Sequence, residues 1–130
     1  MPTKKAWVFT SQKKITEKDK AELTNLFEPL IADYKAKFIN AKPNKQENYV
    51  VNFYSKFYSR FFYLCAEYKA EYEGRRFDGF EEKFARLEFV ETNKYNLAYF
   101  RHTGQWWTVE YNVTPEFCLK YITNNGLFFN

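Results

Sequence analysis

The sequence predicts an α+β fold: an antiparallel sheet, a meander of about five strands, packed by an N-terminal and a C-terminal helix. Three observations predict it. Apolar residues recur at helical spacing from Leu23 to Phe38. From Tyr49 onward they alternate with polar residues, as half-buried strands do. Near the end, Thr114-Pro115-Glu116 has the form of a helix start.

The first helix begins at Thr16, a good N-cap, with Glu17 and Asp19 placed to meet the positive end of the helix dipole. Leu23, Leu26, Phe27, Leu30, Ile31, Tyr34 and Phe38 define its buried stripe. Pro29 predicts a kink or break near Glu28, since it lacks a donor and crowds the preceding turn, but the stripe continues past it. Before this helix, residues 1–14 form a candidate tail in which Ala6-Trp7-Val8-Phe9 is anchored by Trp7. After it, Asn40 to Asn48 reads as a polar connection.

Tyr49 to Tyr72 is the most aromatic segment. Tyr49, Val51, Phe53 and Phe57 alternate with polar positions, as do Phe62, Leu64, Ala66, Tyr68, Ala70 and Tyr72. The parity switches near Ser59 and Arg60, which predicts a turn or bulge there. One long helix is the competing assignment, because Tyr54, Phe57, Tyr58, Phe61, Leu64, Cys65 and Tyr68 also fit helical spacing. Ring and β-branched content favours strands. Glu73 to Glu82, with Gly74, Gly79 and Arg75-Arg76, reads as a surface loop. A three-stranded meander follows: Phe84 to Val90, a turn at Glu91 to Lys94, Tyr95 to Arg101, a tight turn at His102-Thr103-Gly104-Gln105, and Trp106 to Tyr111. The second helix carries Cys118, Tyr121 and Ile122 inward and stops at Asn124-Asn125-Gly126. Leu127, Phe128 and Phe129 are apolar enough to dock on the core.

At 130 residues the chain is sized for a single domain, 1–130, with a core built mainly of rings: 15 Phe, 11 Tyr and 3 Trp. The net charge of +4 lies wholly in residues 1–47, where ten lysines face six acidic residues; the remainder holds ten of each sign. That excess suits a solvated helix face or a contact for an acidic partner. No apolar run approaches a membrane span, and the lysines of Met1 to Lys14 have no hydrophobic stretch behind them. The expectation is a cytoplasmic protein with reduced Cys65 and Cys118 and no membrane association.

His102 is the only histidine, so two-histidine metal sites are excluded within one chain. No CxxC pair, phosphate-cradling glycine loop or nucleophile elbow occurs, and neither a metal nor a cofactor is expected. Cys65 and Cys118 fall among apolar neighbours and read as small buried hydrophobes. Glu81-Glu82 and the set Glu67, Glu71 and Glu73 read as solvated carboxylates rather than a facing catalytic pair.

Two constellations remain. The hairpin tip gathers Arg101, His102, Thr103, Gln105, Trp106 and Trp107, a set able to bind an anion beside a stacking ring. Tyr54, Lys56, Tyr58 and Arg60 interleave rings and cations on one strand face, which suits single-stranded nucleic acid, aided by the basic N-terminal helix. The first favours a non-enzymatic binding domain for a protein partner or a small anionic ligand. The second makes nucleic acid the alternative partner. An enzyme using His102 as acid or base is least favoured, because one imidazole without an evident partner makes a thin active site.

The run Phe84-Ala85-Arg86-Leu87-Glu88-Phe89, followed by Tyr95-Asn96-Leu97-Ala98-Tyr99-Phe100-Arg101-His102-Thr103-Gly104-Gln105-Trp106, resembles a family of small uncharacterised bacterial proteins. Asn48-Tyr49-Val50 and the closing helix near Glu116, Cys118 and Leu119 are similar too, so the resemblance covers most residues after 48. It implies a bacterial intracellular protein without an established activity. Glu73 to Gly79 departs from the pattern, being charged where proline and glycine are expected.

Overall fold

The computed structural model describes residues 14–39, 48–72, 75–101, 103–125 and 128–129. Helix α1 (Glu17–Phe38) is followed by strands β1 (Tyr49–Tyr58), β2 (Phe61–Tyr72), β3 (Arg75–Glu91), β4 (Lys94–Phe100) and β5 (Trp106–Val113), then helix α2 (Pro115–Thr123). The strands form one antiparallel sheet in chain order, β1-β2-β3-β4-β5. The expected α+β architecture is thus present, with strands and not a helix over Tyr49 to Tyr72. The tail anchored by Trp7 and nearly all of the polar connection after α1 lie outside the described residues.

α1 starts in a full capping box. Thr16 Oγ1 accepts from the Asp19 amide at 3.1 Å, and the Asp19 carboxylate accepts from the Thr16 amide at 3.1 Å. Two orphan donors at the helix start are satisfied this way. Asp19 is buried, and its carboxylate also accepts from the hydroxyls of Thr16 and Thr92. The helix runs unbroken through Pro29. Pro29 and Asn25 are both exposed, so the carbonyl that loses its partner lies on the wet side of the helix. Of the expected kink or break, the break does not form: the stripe Leu23, Phe27, Leu30, Ile31 and Tyr34 stays buried on both sides of the proline.

Both helices pack on the same face of the sheet, α1 against β1 and α2 against β4, and they touch each other. The core lies between helices and sheet. Phe27 meets Phe62 at 5.4 Å between centroids, and Tyr34, Phe38, Phe53, Phe84 and Phe129 form one interlocked ring cluster. The expected docking of the C-terminal rings holds for Phe128 and Phe129: Phe128 is buried against Tyr99 and Tyr121, and Phe129 closes the cluster. Leu127 lies outside the described residues. α2 has the predicted Thr114 cap, with Thr114 Oγ1 accepting from the Phe117 amide at 3.1 Å.

One expected loop is a strand. β3 begins at Arg75, so residues 75–82 pair with β2 instead of looping out. Gly79, which suggested a loop, is there for a different reason. A Cβ at Gly79 would stand 1.5 Å from the Tyr68 carbonyl oxygen, so only glycine lets the two backbones pass this close. The ladder slips at that point between Tyr68 and Ala70. A second slip, with Leu64 opposite Ala85 and Cys65 opposite Lys83, leaves Phe84 as an extra residue. The bulge reverses the parity of β3, so that Lys83 and Arg86, three positions apart, project from the same face.

Candidate functional site

The sheet face opposite the helices carries the side chains that α1 and α2 leave uncovered. Cross-strand partners share a face, so the register gives its layout. One row runs Tyr58, Phe61, Glu88, Asn96; the next runs Lys56, Tyr63, Arg86, Ala98, Thr108. Below them lie Tyr54, Cys65 and Lys83, then Asn52, Glu67 and Glu81, with Phe100 opposite Trp106 at the β4–β5 end. Rings and charges are therefore interspersed over β1, β2 and β3, with the Phe100–Trp106 ring pair at the β4–β5 end.

Glu81 is the electrostatic hub of the β1 side. Lys56 Nζ donates to both carboxylate oxygens, at 2.7 and 2.9 Å, Lys83 Nζ lies 3.1 Å away, and the Tyr54 hydroxyl donates to the same group. Burial pushes the Glu81 pKa up, but the hydrogen bonds from Lys56, Tyr54 and Lys83 outweigh it and hold the carboxyl at about 2. Burial, then the bond to Glu81, raises the Tyr54 phenol. Lys56 is stabilised as a cation mainly by its bond to Glu81. These four groups satisfy one another and stiffen the sheet.

Arg86 behaves differently. Its guanidinium carbon lies 4.9 Å from the Phe61 ring centroid and 4.8 Å from that of Trp106. Trp106 is held in turn by Phe100 at 5.2 Å and Tyr63 at 5.8 Å. Ala98, directly opposite Arg86, is too small to compete for the space. Next to this stack, Glu81, Glu82, Lys83, Phe100 and Trp106 line a groove of about 290 Å³. A larger hollow of about 550 Å³ lies on the other side of the sheet, between α1 and the start of α2, lined by Asp19, Glu22, Asn25 and Glu116 among others.

The structure divides the residues of the hairpin tip. Phe100 pairs with Trp106 and Tyr99 with Trp107, so the two indoles leave on opposite faces of the sheet. Trp106 belongs to the open face. Trp107 is 52% exposed, and Arg101 lies 4.7 Å over its ring. The turn closes through Arg101 N to Gln105 O and Gly104 N to Arg101 O, both at 2.8 Å, with Gly104 at a positive φ of 86°. Thr103 and Gln105 are exposed there. His102 lies outside the described residues.

The second set is divided as well. Tyr54, Lys56 and Tyr58 share the open face as expected, and Tyr58 is 72% exposed. Arg60 does not join them. It sits in the β1–β2 turn, where its Nε and Nη2 donate to the Phe89 carbonyl at 2.9 and 2.6 Å while the Phe89 amide donates to the Arg60 carbonyl at 2.9 Å. This reciprocal clamp pins a turn in which Ser59 adopts a positive φ of 56°. α1 packs on the opposite face, so its lysines do not extend the Tyr54–Tyr58 stripe. Residues missed by sequence reasoning are Arg86, Lys83, Phe61, Tyr63 and Phe100. The adjacent apolar pair Phe84-Ala85 was the available signal, since two neighbouring inward residues in a strand mark a bulge.

Residues 16–130 match the domain of unknown function DUF3024. The chain belongs to that family. The DUF3024 match spans both helices and all five strands, so the open face with Arg86 and Trp106 lies wholly inside it. The family has no established activity, as the resemblance implied. Neither a curated protein nor a solved structure matches the chain.

Within this DUF3024 chain both cysteines are free and buried, as expected of small hydrophobes. They lie on opposite sides of the sheet, Cys65 beneath Tyr54 and Lys83 and Cys118 in α2. Burial pushes the Cys65 thiol up to about 11 and the Cys118 thiol up to about 12, so both are protonated at neutral pH. Among the described residues no cluster of three metal-ligating side chains occurs, and no helix is long and apolar enough to cross a membrane.

Proposed function

We propose that this chain is a non-enzymatic binding domain whose ligand face is the helix-free side of the sheet, and that its ligand is a small molecule carrying a planar ring and a negative charge. The observation that carries this reading is the groove lined by Trp106, Phe100, Lys83, Glu81 and Glu82, with its rings already fixed in place and Arg86, a cation unpaired among the described residues, stacked on Trp106 next to it. Its volume, about 290 Å³, stands at the lower end of small-ligand sites. Preorganised rings lower the ordering cost of stacking a ligand ring. The tip reading is thereby narrowed: Trp106 belongs to this face, and Arg101 with Trp107 belongs to the other.

A single-stranded nucleic acid is the weaker reading. Exposed Tyr58 and half-buried Tyr63 suit base stacking. Yet the face sets Lys56, Lys83 and Arg86 against Glu67, Glu81 and Glu88, so a polyanion meets no net positive field.

Tryptophan fluorescence titrations with nucleoside monophosphates, aromatic carboxylates and mixed single strands, at low and moderate salt, test the proposal. Saturable quenching by the small ring-bearing anions, lost in Trp106→Ala but kept in Trp107→Ala, is the expected result. Steeply salt-dependent binding of the strands alone would replace it with the nucleic-acid reading. Quenching lost only in Trp107→Ala would move the site to the other face.

A further inference from the structure

The Arg86 guanidinium lies over two rings, Phe61 at 4.9 Å and Trp106 at 4.8 Å, and has no counter-charge paired with it among the described residues. Among the described residues it makes no hydrogen bond or ion pair, and its Nε is buried with no partner. The nearby carboxylates are engaged elsewhere: Glu81 holds Lys56 and Lys83, and Glu88 accepts from Asn96 at 3.4 Å. A buried donor without an acceptor is costly, and more so when the group is charged. The Phe61 and Trp106 faces offset part of that through cation–π attraction, to which the planar and weakly hydrated guanidinium is well suited. They contribute no hydrogen-bond acceptor. The two Nη nitrogens carry the remaining N–H donors of the planar fork, and among the described residues they have no acceptor.

We propose that Arg86 is the oxyanion receptor of this face, taking a phosphoryl or carboxyl group of the ligand through a two-point hydrogen bond while the ligand ring lies in the groove against Trp106. This rests on the small-ligand reading above and deepens it. A fork held against two rings loses little freedom on binding, and it selects planar, two-oxygen acceptors over point anions such as chloride. Lys83 lies on the same face one bulge away and adds charge without geometry.

Isothermal titration of adenosine, adenosine monophosphate, benzoate, benzyl alcohol and inorganic phosphate against the wild type, Arg86→Gln and Arg86→Lys tests it. The expected pattern is that an oxyanion on a ring improves affinity about tenfold or more over its neutral counterpart, in line with a charge-assisted two-point bond. Arg86→Gln removes that gain and leaves the neutral compounds unchanged, while Arg86→Lys recovers a minor part of it. The adenosine monophosphate and benzoate arms show whether phosphoryl or carboxyl is preferred. If Arg86→Gln weakens charged and neutral compounds alike, Arg86 only props Trp106 and the receptor proposal is overturned, though the face still binds. If ring-bearing anions bind the wild type and Arg86→Lys equally well, the fork is not used and the proposal also fails. If no compound binds the wild type, the small-ligand reading falls and takes this proposal with it. Should Arg86→Gln not fold, the Arg86→Lys comparison alone decides.

Discussion

On the helix-covered face of the sheet, buried rings pack mainly on one another; on the open face, half-buried rings pack on one another and on the cations Arg86 and Lys83. Phe53 is 1% exposed and lies among Tyr34, Phe38, Phe84 and Phe129 at centroid distances of 4.9 to 6.2 Å, mostly edge to face. That geometry excludes water and leaves no ring surface for a ligand. Across the sheet, Arg86 lies over both Phe61 and Trp106, and Tyr63 has Lys83 at 5.7 Å from its centroid. Side chains of the same chemical kind thus build a core where two layers press on them and a wet, charge-bearing surface where only one layer does. The difference comes from what lies above each ring, and from the bulge that turns Lys83 and Arg86 outward.

The sharpest way to break the contrast is to delete one ring from the covered side. Phe53→Ala is expected to cost about 3–5 kcal/mol in urea unfolding, because the interlocked cluster cannot collapse into the gap. A loss below about 1 kcal/mol would mean the cluster is loosely packed. Arg60→Ala comes next, at about 1–2 kcal/mol for the lost bonds to the Phe89 carbonyl, with ligand titrations unchanged. Altered binding with intact stability would return Arg60 to the open face. Glu81→Gln is the smallest, on the order of 1 kcal/mol at neutral pH once solvent screening is allowed for. The folded carboxyl titrates near 2 instead of the ordinary 4.5, so its contribution is present above about pH 5 and is lost as the pH falls toward 2. Wild type and Glu81→Gln should therefore differ in stability at pH 7 and converge at low pH. A constant difference across that window would show that the Lys56 and Lys83 pairs contribute nothing measurable.

Much of the frame was legible because its signals are local. Thr16 with Asp19, and Thr114 with Pro115, announce helix starts through chemistry within one turn. The parity change near Ser59 gave the first hairpin. The N-terminal half of β3 was hidden because Gly79 reads as a loop residue unless the approach of the Tyr68 backbone is known, a non-local fact. The site was legible only in outline. The sequence joined Trp106 to Trp107 because they are neighbours, whereas the sheet separates adjacent residues onto opposite faces. Arg60 looked like one more cation in a stripe, but the turn carries it back to Phe89. Arg86 had no local mark, since its partners Phe61 and Trp106 lie on other strands.

The identity of strand order with chain order reaches beyond the native state. Each ladder closes against its immediate predecessor, and two of the connections, Ser59-Arg60 and Thr92-Asn93, are only two residues long. Little loop entropy is spent in bringing such neighbours together. The sheet can grow hairpin by hairpin from local encounters, which keeps contact order low for a β-rich chain. The long-range step is then the landing of α1, from the start of the chain, and of Phe128 and Phe129, from its end, on a surface that the zipped strands have already laid out.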